Sequence, residues 1–373
     1  MIRSVFAAQN AVEQTYQKLV DDTLQKFRPQ GLTRQRLCEI HQRWNRDACL
    51  IQILSKRIYW FGTPEMNTTP ARMERLRNCL TLTQRVLKKR RLPDVEFLVC
   101  LADSFGVPDF PVFSSFFKST WGNVSFPLGQ SQQLTCPQGG TNIVGWNRRM
   151  ANFRKVAQAY PWKRRIEKAV FRGAFRMQSQ SKDWRDVPRG RLFCIAQQRC
   201  DLLDVGFTAV RDPNHQIPEE ILRSIPTTKA IPMEHQQQYK YALNVGSNTD
   251  WADRLRMILF MSSAVIKHEA DSHEFFYALL KPYEHYIPTR PDFSDLAAQI
   301  EWARAHDKEV RAIVQRANEF AVKYLSEKAM CHYAFILIKE YAQLLTYKVE
   351  RHPLARKYEA AEDAPWMTAG APC

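Results

Sequence analysis

Residues 239–288 have the sequence YKYALNVGSNTDWADRLRMILFMSSAVIKHEADSHEFFYALLKPYEHYIP. An apolar run typical of a strand covers 239–245 and is followed by a turn at 246–248. A helical pattern then runs over about 251–261, and a second strand is predicted at 264–267. Since strands that alternate with helices form parallel βαβ units, this stretch predicts an α/β fold.

The same stretch contains a candidate anion site at the start of its predicted helix. Thr249 or Asp250 can cap the helix N-terminus, where free N–H groups and the helix dipole favour an anion. Arg254 then lies in the first turn, and its planar guanidinium can bind phosphate through two parallel hydrogen bonds. An exposed arginine on an ordinary surface helix gives the same pattern, so the periodicity leaves both interpretations open.

The composition is that of a globular chain with an excess of positive charge. Of 373 residues, 45% are hydrophobic, and 54 Lys+Arg against 38 Asp+Glu give a net charge of +16. Such a charge suits an anionic partner such as a nucleotide, a nucleic acid, an acidic glycan or a membrane face. The chain has no apolar window of the roughly 18 residues that a membrane span needs, and its first residues lack a signal-peptide run. Nine cysteines without a Cys-x-x-Cys pair are compatible with disulfides and give no zinc spacing.

Elsewhere, the pattern predicts helices over about 8–91, a strand at 95–101 that is followed by Asp103, and long amphipathic helices near the C-terminus. Pro161 is the predicted domain boundary. The predicted domains are 1–160, with the helices of about 326–373 packing back on it, and 161–325.

Several motifs together resemble glycosyltransferase family 90, the family of protein O-glucosyltransferases and capsule-associated proteins. They are Tyr239-Lys240-Tyr241, Arg254, Glu274-Phe275-Phe276, Lys281-Pro282-Tyr283-Glu284-His285-Tyr286-Ile287-Pro288 and, upstream, Pro161-Trp162-Lys163 and Phe171-Arg172-Gly173-Ala174. The likeness covers roughly 94–347, and the first ninety or so residues are outside it.

This resemblance implies a GT-B architecture, in which two Rossmann-like domains face a cleft. By this resemblance, 1–160 would hold the acceptor side behind an N-terminal helical extension, 161–325 would bind the donor, and the C-terminal helices would close the fold. The implied reaction is inverting transfer of glucose or xylose from a UDP-sugar to a hydroxyl of a protein serine or a glycan. A monomer in the lumen of the endoplasmic reticulum or Golgi is implied, with the cytoplasm as the alternative.

The resemblance also assigns donor-site residues. Arg254 would bind the diphosphate. The preceding donor loop would consist of Thr249, Asp250, Trp251, Ala252 and Asp253. The donor pocket would be lined by Arg172, Gly173 and Ala174, with help from Arg189 or Arg191, or Arg185 as a third choice. Glu274 is placed to accept hydrogen bonds from the ribose hydroxyls or, equally, to cap a helix.

Asp103 matches the catalytic base of the family, and Asp109 is the substitute because the local motif departs from the family pattern. An Asp that closes a strand is also a common turn former. Inverting displacement needs one carboxylate that takes the acceptor proton. Since the chain lacks Asp-x-Asp, we expect no metal cofactor.

Other functions are less well supported by the motifs. His268 and His273 are five residues apart, whereas two zinc ligands on one helix face need a spacing of four. The positive charge keeps a nucleic-acid or glycan-binding protein as an alternative, although no reader motif is present. An inactive family member is the remaining possibility.

Overall fold

The computed structural model describes residues 2–103, 106–129, 141–176, 183–212, 218–247 and 251–359, with side chains from residue 10 onward. Chain contacts divide the protein into two units. The first unit consists of Met1–Gln130 and Glu327–Cys373, and the second is Ser131–Ser326. The boundary predicted at Pro161 therefore lies within the second unit. The helix before Pro161 belongs there because the Gln237 amide donates to the Phe153 carbonyl at 2.9 Å.

The helices and strands follow in chain order. The α-helices are α1 (Ile2–Leu24), α2 (Arg34–Arg43), α3 (Pro70–Lys89), α4 (Trp146–Ala157), α5 (Pro188–Gln198), α6 (Glu219–Ser224), α7 (Leu255–Ile258), α8 (Leu296–Ala305), α9 (Asp307–Leu325) and α10 (Glu327–Ala342). The strands are β1 (Ala48–Leu54), β2 (Arg57–Phe61), β3 (Val95–Cys100), β4 (Phe113–Ser114), β5 (Val124–Ser125), β6 (Ile166–Arg176), β7 (Leu203–Arg211), β8 (Tyr239–Asn244), β9 (Ala264–His268), β10 (Ile287–Thr289) and β11 (Arg356–Lys357).

The first unit is built on a mixed sheet with the strand order β11-β2-β1-β3-β4-β5. The pairs β11-β2, β2-β1 and β1-β3 are antiparallel, and the pairs β3-β4 and β4-β5 are parallel. Helices α1 and α3 pack against α10, which also contacts β3. The antiparallel strands distinguish this sheet from an all-parallel nucleotide-binding sheet.

The β1-β2 hairpin lies in the region for which the sequence pattern predicts helices. Its strands are joined by Ser55 and Lys56, which both have positive φ angles of 48° and 63°. Two successive left-handed residues form the type I′ turn that suits a tight hairpin. The usual Asn-Gly signal of such a turn is absent here, which explains why the hairpin is not evident from the sequence.

The second unit is built on an all-parallel sheet with the strand order β10-β9-β8-β6-β7. Its core combines Phe171 of β6, Tyr241 of β8 and Ile266 of β9 with Leu296 and Ile300 of α8. The predicted α/β class is confirmed, and the strands predicted at 239–245 and 264–267 correspond to β8 and β9.

Two general properties follow from the described residues. The cysteines within the described ranges are free thiols, so the disulfides that the composition allows do not form among them. Burial raises the pKa of Cys79 and of Cys100 to about 12, which keeps both thiols protonated. None of the described helices is long and apolar enough to cross a membrane.

Candidate functional site

Two buried arginines lie against one aromatic ring at an edge of the parallel sheet. The guanidinium carbon of Arg254 is 4.7 Å from the centre of the Phe171 ring, and that of Arg189 is 5.3 Å from the same centre. In open parallel sheets, ligands bind at the carboxyl ends of the strands. Val245 and Gly246, whose carbonyls Arg189 contacts, come directly after β8, so the two arginines lie at that end.

Arg189 is held by main-chain carbonyls. Its Nη1 donates to the Ala174 carbonyl at 2.5 Å, its Nε to Gly246 at 3.1 Å and its Nη2 to Val245 at 3.4 Å. Burial lowers the pKa of Arg189 well below its usual value, and the neighbouring charge of Arg254 acts in the same direction. An anion bound here would relieve the repulsion between the two cations.

Arg254 is also fixed by the strand that bears Phe171. Its Nη1 donates to the Arg172 carbonyl at 2.8 Å, and the residue is 5% exposed. Burial lowers its pKa to about 10, so the guanidinium stays charged at neutral pH, and Asp253 opposes this shift. Arg254 and Arg189 thus form a positively charged cluster suited to a diphosphate.

Gly173 is required for the close approach of β6 to Arg254. A Cβ atom at this position would lie 2.7 Å from Nη2 of Arg254 and 3.0 Å from Cζ of Phe171. The register of β6 against β7 also shifts between Gly173 and Ala174. The structure therefore brings together Gly173, Ala174, Arg189 and Arg254, as the motif resemblance implies, although their part in donor binding stays a prediction.

The side chain of Arg172 does not join this cluster. Its Nη2 lies 2.7 Å from Oδ1 of Asp204 on β7, and Asp204 also accepts a hydrogen bond from the Tyr239 hydroxyl. Side chains alternate between the two faces of a strand, so the side chain of Arg172 points away from the face that carries Phe171 and Gly173. Arg172 contributes only its carbonyl oxygen to the arginine cluster among the described contacts.

The other two arginine candidates also make separate contacts. Arg191 donates to the Asp186 carbonyl at 3.2 Å. The side chain of Arg185 is 64% exposed and lies 3.3 Å from Asp183. Of the three arginines named from the sequence, Arg189 is the one that the structure brings next to Arg254.

The predicted helix over 251–261 is much shorter in the structure. Helix α7 covers only Leu255–Ile258, and Arg254 precedes it. Every residue of 251–261 is buried, so this segment lacks the solvent-facing side of an amphipathic helix. Thr249 and Asp250 lie outside the described residues. The helix-terminus argument for anion binding is therefore not supported, and the arginine cluster carries the site instead.

The described part of the donor loop is buried. Oδ2 of Asp253 accepts a hydrogen bond from the Thr141 hydroxyl at 2.9 Å, and Ala252 is 7% exposed. The Ser247 N–H donates to the Trp251 carbonyl at 3.0 Å, which fixes Trp251 against the residues that follow β8.

Glu274 stabilises this loop through a buried ion pair. Its Oε1 accepts from the Trp251 indole at 3.2 Å, and its Oε2 lies 2.7 Å from Nε of Arg256. The side chains of Arg256 and Glu274 are 0% and 1% exposed. Burial raises the pKa of Glu274 to about 7, while Arg256 and Trp251 oppose that rise. These contacts hold 251–256 in place, and the contact of Glu274 with ribose hydroxyls stays a prediction.

In the first unit, Asp103 follows β3 and forms an ion pair with Arg75 of α3. Arg75 also donates to the Leu101 carbonyl at 2.8 Å. Asp109 is 60% exposed and lies 2.5 Å from Arg36 on the surface, so Asp103 is the better held of the two candidate bases.

The sequence motifs did not identify Arg75, although its place among apolar residues on one helix face could have indicated it. It shares one face of α3 with Cys79, Leu82 and Val86, all of which are buried. A charged residue within such an apolar stripe needs a partner of opposite charge, and that partner is Asp103.

The histidines considered for zinc have structural contacts. The His268 Nε2 is 2.9 Å from the Pro291 carbonyl, and the ring stacks on Phe293. His273 is 3.3 Å from Asp271 and 41% exposed. Within the described ranges, no cluster of three or more His, Cys, Asp or Glu side chains is arranged to hold a metal ion. The absence of a metal requirement stays a prediction.

Comparison with known proteins gives a match along nearly the whole chain. A profile of glycosyl transferase family 90 matches residues 9–363. Protein O-glucosyltransferase 1 of Rattus norvegicus is 25% identical over 346 residues, which cover 90% of this chain and 82% of that protein. The O-glucosyltransferase rumi homolog of Aedes aegypti is 27% identical over 323 residues, 85% of this chain and 73% of that protein.

A weaker likeness is found to a solved structure. Anabaena Alr3699/HepE in complex with UDP and glucose aligns with a TM-score of 0.31 and 13% identity. The alignment covers 48% of this chain and 50% of that chain, so this chain spans about half the length of that solved structure.

Proposed function

Since this chain belongs to glycosyl transferase family 90, it is a glycosyltransferase, and we propose that it transfers glucose or xylose from a UDP-sugar to a hydroxyl group. The observation that carries the proposed donor is the pair of buried arginines on the Phe171 ring. Arginine suits a diphosphate because its planar guanidinium binds two oxygens at once and stays charged. The names of the relatives favour glucose as the sugar and a protein hydroxyl as the acceptor.

The proposed reaction is a single displacement with inversion. The acceptor oxygen attacks the anomeric carbon, and Asp103 takes the proton of the acceptor hydroxyl. The bond from the anomeric carbon to the diphosphate oxygen breaks, and UDP leaves with the electron pair. Arg254 and Arg189 stabilise the negative charge that develops on the diphosphate.

Leaving-group stabilisation by two arginines would make a divalent cation unnecessary. The lumen of the endoplasmic reticulum or Golgi and a monomeric state stay predictions. The acceptor can be identified by running a UDP-sugar transfer assay with folded disulfide-rich domains and with free glycans as acceptors.

The test is a panel of labelled UDP-sugars, with and without EDTA. We expect UDP release from UDP-glucose or UDP-xylose, activity that survives EDTA, and a β-linked product from the α-linked donor by NMR. Loss of activity on chelation would refute metal independence, and an α-linked product would refute inversion. If no UDP-sugar is hydrolysed or transferred and RNA or DNA binds with a steep salt dependence, the result would favour the alternative of a nucleic-acid-binding protein.

A further inference from the structure

Helix α3 carries two arginines one turn apart, and each forms an ion pair with an aspartate at the same edge of the first sheet. Arg72 pairs with Asp47, which directly precedes β1, and Arg75 pairs with Asp103, which follows β3. Strands β1 and β3 are antiparallel, with Ala48 opposite Cys100. The start of β1 and the end of β3 therefore meet at one edge.

The two ion pairs differ in depth and in what they hold. The side chain of Arg72 is 23% exposed, and that of Arg75 is 5% exposed. Arg72 donates to the Arg46 carbonyl at 2.9 Å, which lies before β1. Arg75 donates to the Leu101 carbonyl at 2.8 Å, so it binds both the side chain of Asp103 and the chain that leads to it.

An arginine this deeply buried loses much of its hydration, and ion pairs of this kind are often no more stabilising than an apolar side chain. An apolar residue at position 75 would complete the stripe of Cys79, Leu82 and Val86. A role in placing the carboxylate gives a physical reason for the charge at this position.

We infer that Arg75 is a positioning residue for sugar transfer, which holds one oxygen of Asp103 so that the other faces the acceptor hydroxyl. Arg75 binds Oδ1, and 36% of the Asp103 side chain is exposed, so the carboxylate can be reached by an acceptor. The contacts of Arg75 with the Asp103 carboxylate and with the Leu101 carbonyl restrict rotation about the Asp103 side-chain bonds, which keeps the second oxygen in one orientation. The inference rests on the proposed role of Asp103 as the base.

A purely structural ion pair between α3 and β3 is the competing explanation, and Arg72 supplies the matched control. Arg72→Met removes an ion pair from the same helix and the same sheet edge but leaves Asp103 and its partner intact. Equal effects of Arg72→Met and Arg75→Met on transfer, after correction for thermal stability, would refute the positioning role.

The experiment is a double-mutant cycle of Arg75→Met and Asp103→Asn, measured as kcat for transfer from the UDP-sugar that the wild type uses. We expect Arg75→Met to lower kcat about tenfold or more with little change in the dissociation constant of UDP. In the Asp103→Asn background, Arg75→Met should lower the residual rate by less than about twofold, because its effect acts through the carboxylate. Full additivity of the two substitutions would refute the inference.

Arg75→Lys keeps the positive charge, so it tests whether the loss in Arg75→Met comes from the missing charge or from misfolding. We expect it to recover part of the kcat that Arg75→Met loses, since an ammonium can bind one oxygen of Asp103 but cannot also hold the Leu101 carbonyl in the same geometry. A lysine variant that melts like the wild type and transfers no faster than the methionine variant would count against positioning by charge.

The failure of this inference and the failure of the proposed function give different results. If the wild type transfers no sugar, the proposed function fails. If the wild type transfers sugar and Asp103→Asn lowers transfer to a small residual rate, but Arg75→Met retains the wild-type kcat, the proposed function survives and the positioning role is refuted.

Discussion

The guanidinium of Arg254 lies against the Phe171 ring, 4.7 Å from its centre, while its Nη1 is bonded to the carbonyl of the next residue on β6. The charge is therefore held in place before any ligand binds. A preordered cation loses little conformational entropy when it binds a phosphate.

The first prediction concerns this arginine cluster. Arg254→Met should weaken UDP binding about 10- to 100-fold, which corresponds to roughly the 1.5–3 kcal/mol of a hydrogen bond to a charged group. Arg189→Met should have a similar effect because it removes the second cation. Calorimetric titration with UDP measures both, and an unchanged dissociation constant would remove the residue from the donor site.

Matched controls come from the same segment of the chain. Arg185→Met and Arg191→Met should bind UDP as the wild type does, since the described contacts of both side chains lie outside the cluster. A loss of affinity in either variant equal to that of Arg189→Met would mean that the basic charge of 185–191 acts collectively.

Gly173 allows a second test of the close approach at β6. Gly173→Ala places a Cβ atom 2.7 Å from Nη2 of Arg254, so the guanidinium must shift, and UDP binding should weaken. The overcrowding should also cost about 1–3 kcal/mol of stability, measured by urea unfolding. In the Arg254→Met background the alanine should have a smaller effect on UDP binding, and an undiminished effect would place its cause elsewhere.

The buried pair of Glu274 and Arg256 should be important for stability. Glu274→Ala removes the carboxylate partner of a fully buried guanidinium, so we expect a loss of about 3–5 kcal/mol in the free energy of unfolding. Glu284→Ala is the control, because Glu284 is 42% exposed and pairs with Lys281 at the surface. Equal stability of the two variants would contradict this account.

The pH dependence follows from the same carboxyl group. Burial raises the pKa of folded Glu274 to about 7, above its usual value of 4.5, so the folded state binds the proton more tightly than the unfolded chain. The contribution of this group to stability is then greatest at low pH and decreases as pH rises from 4.5 towards 7. Glu274→Gln does not titrate, so the difference in Tm between it and the wild type should change between about pH 4.5 and 7. A flat difference would mean that the carboxyl has a normal pKa.

The hairpin turn offers a stabilising substitution. Lys56 has a φ of 63°, a left-handed conformation that costs a side-chain-bearing residue about 1 kcal/mol. Lys56→Gly removes this cost but loses roughly 0.5–1 kcal/mol of entropy on folding, so the free energy of unfolding should rise by up to about 0.5 kcal/mol. Chemical denaturation measures this change.

The matched control for the turn is the next residue along the chain. Arg57 is exposed and begins β2, where glycine brings no conformational relief and only loses entropy on folding. Arg57→Gly should therefore lower the free energy of unfolding. A gain in stability from both glycine substitutions would show that the left-handed conformation of Lys56 is not the cause.

The sequence predicted the second unit well because its strands are continuous apolar runs bounded by turns. Gly173, Arg189 and Arg254 belong to segments far apart in sequence, and only the motif resemblance suggested that they act together. Parallel strands β6 and β8 bring these segments to one edge, so the fold accounts for a proximity that periodicity cannot predict.

The first unit was harder to predict, for two reasons. The turn at Ser55 and Lys56 has positive φ angles but contains no Gly, Asn or Asp, the residues that usually adopt them, so no local signal marks the hairpin. The partner of Asp103 comes from α3, well before it in the chain, and no local motif links Arg75 to that carboxylate. Pairings over such separations are set by packing of the helix on the sheet.

The first unit is made of two parts of the chain that are separated in sequence by the whole second unit. During synthesis, Ser131–Ser326 is complete before α10 emerges, and α10 supplies the contacts that α1 and α3 need. Domains generally fold as units as the chain is made. The second unit, which holds the arginine cluster, can therefore fold first, while the unit that holds Asp103 must wait for its last helix. A chain that ends before residue 327 would then have a folded second unit and a first unit without α10.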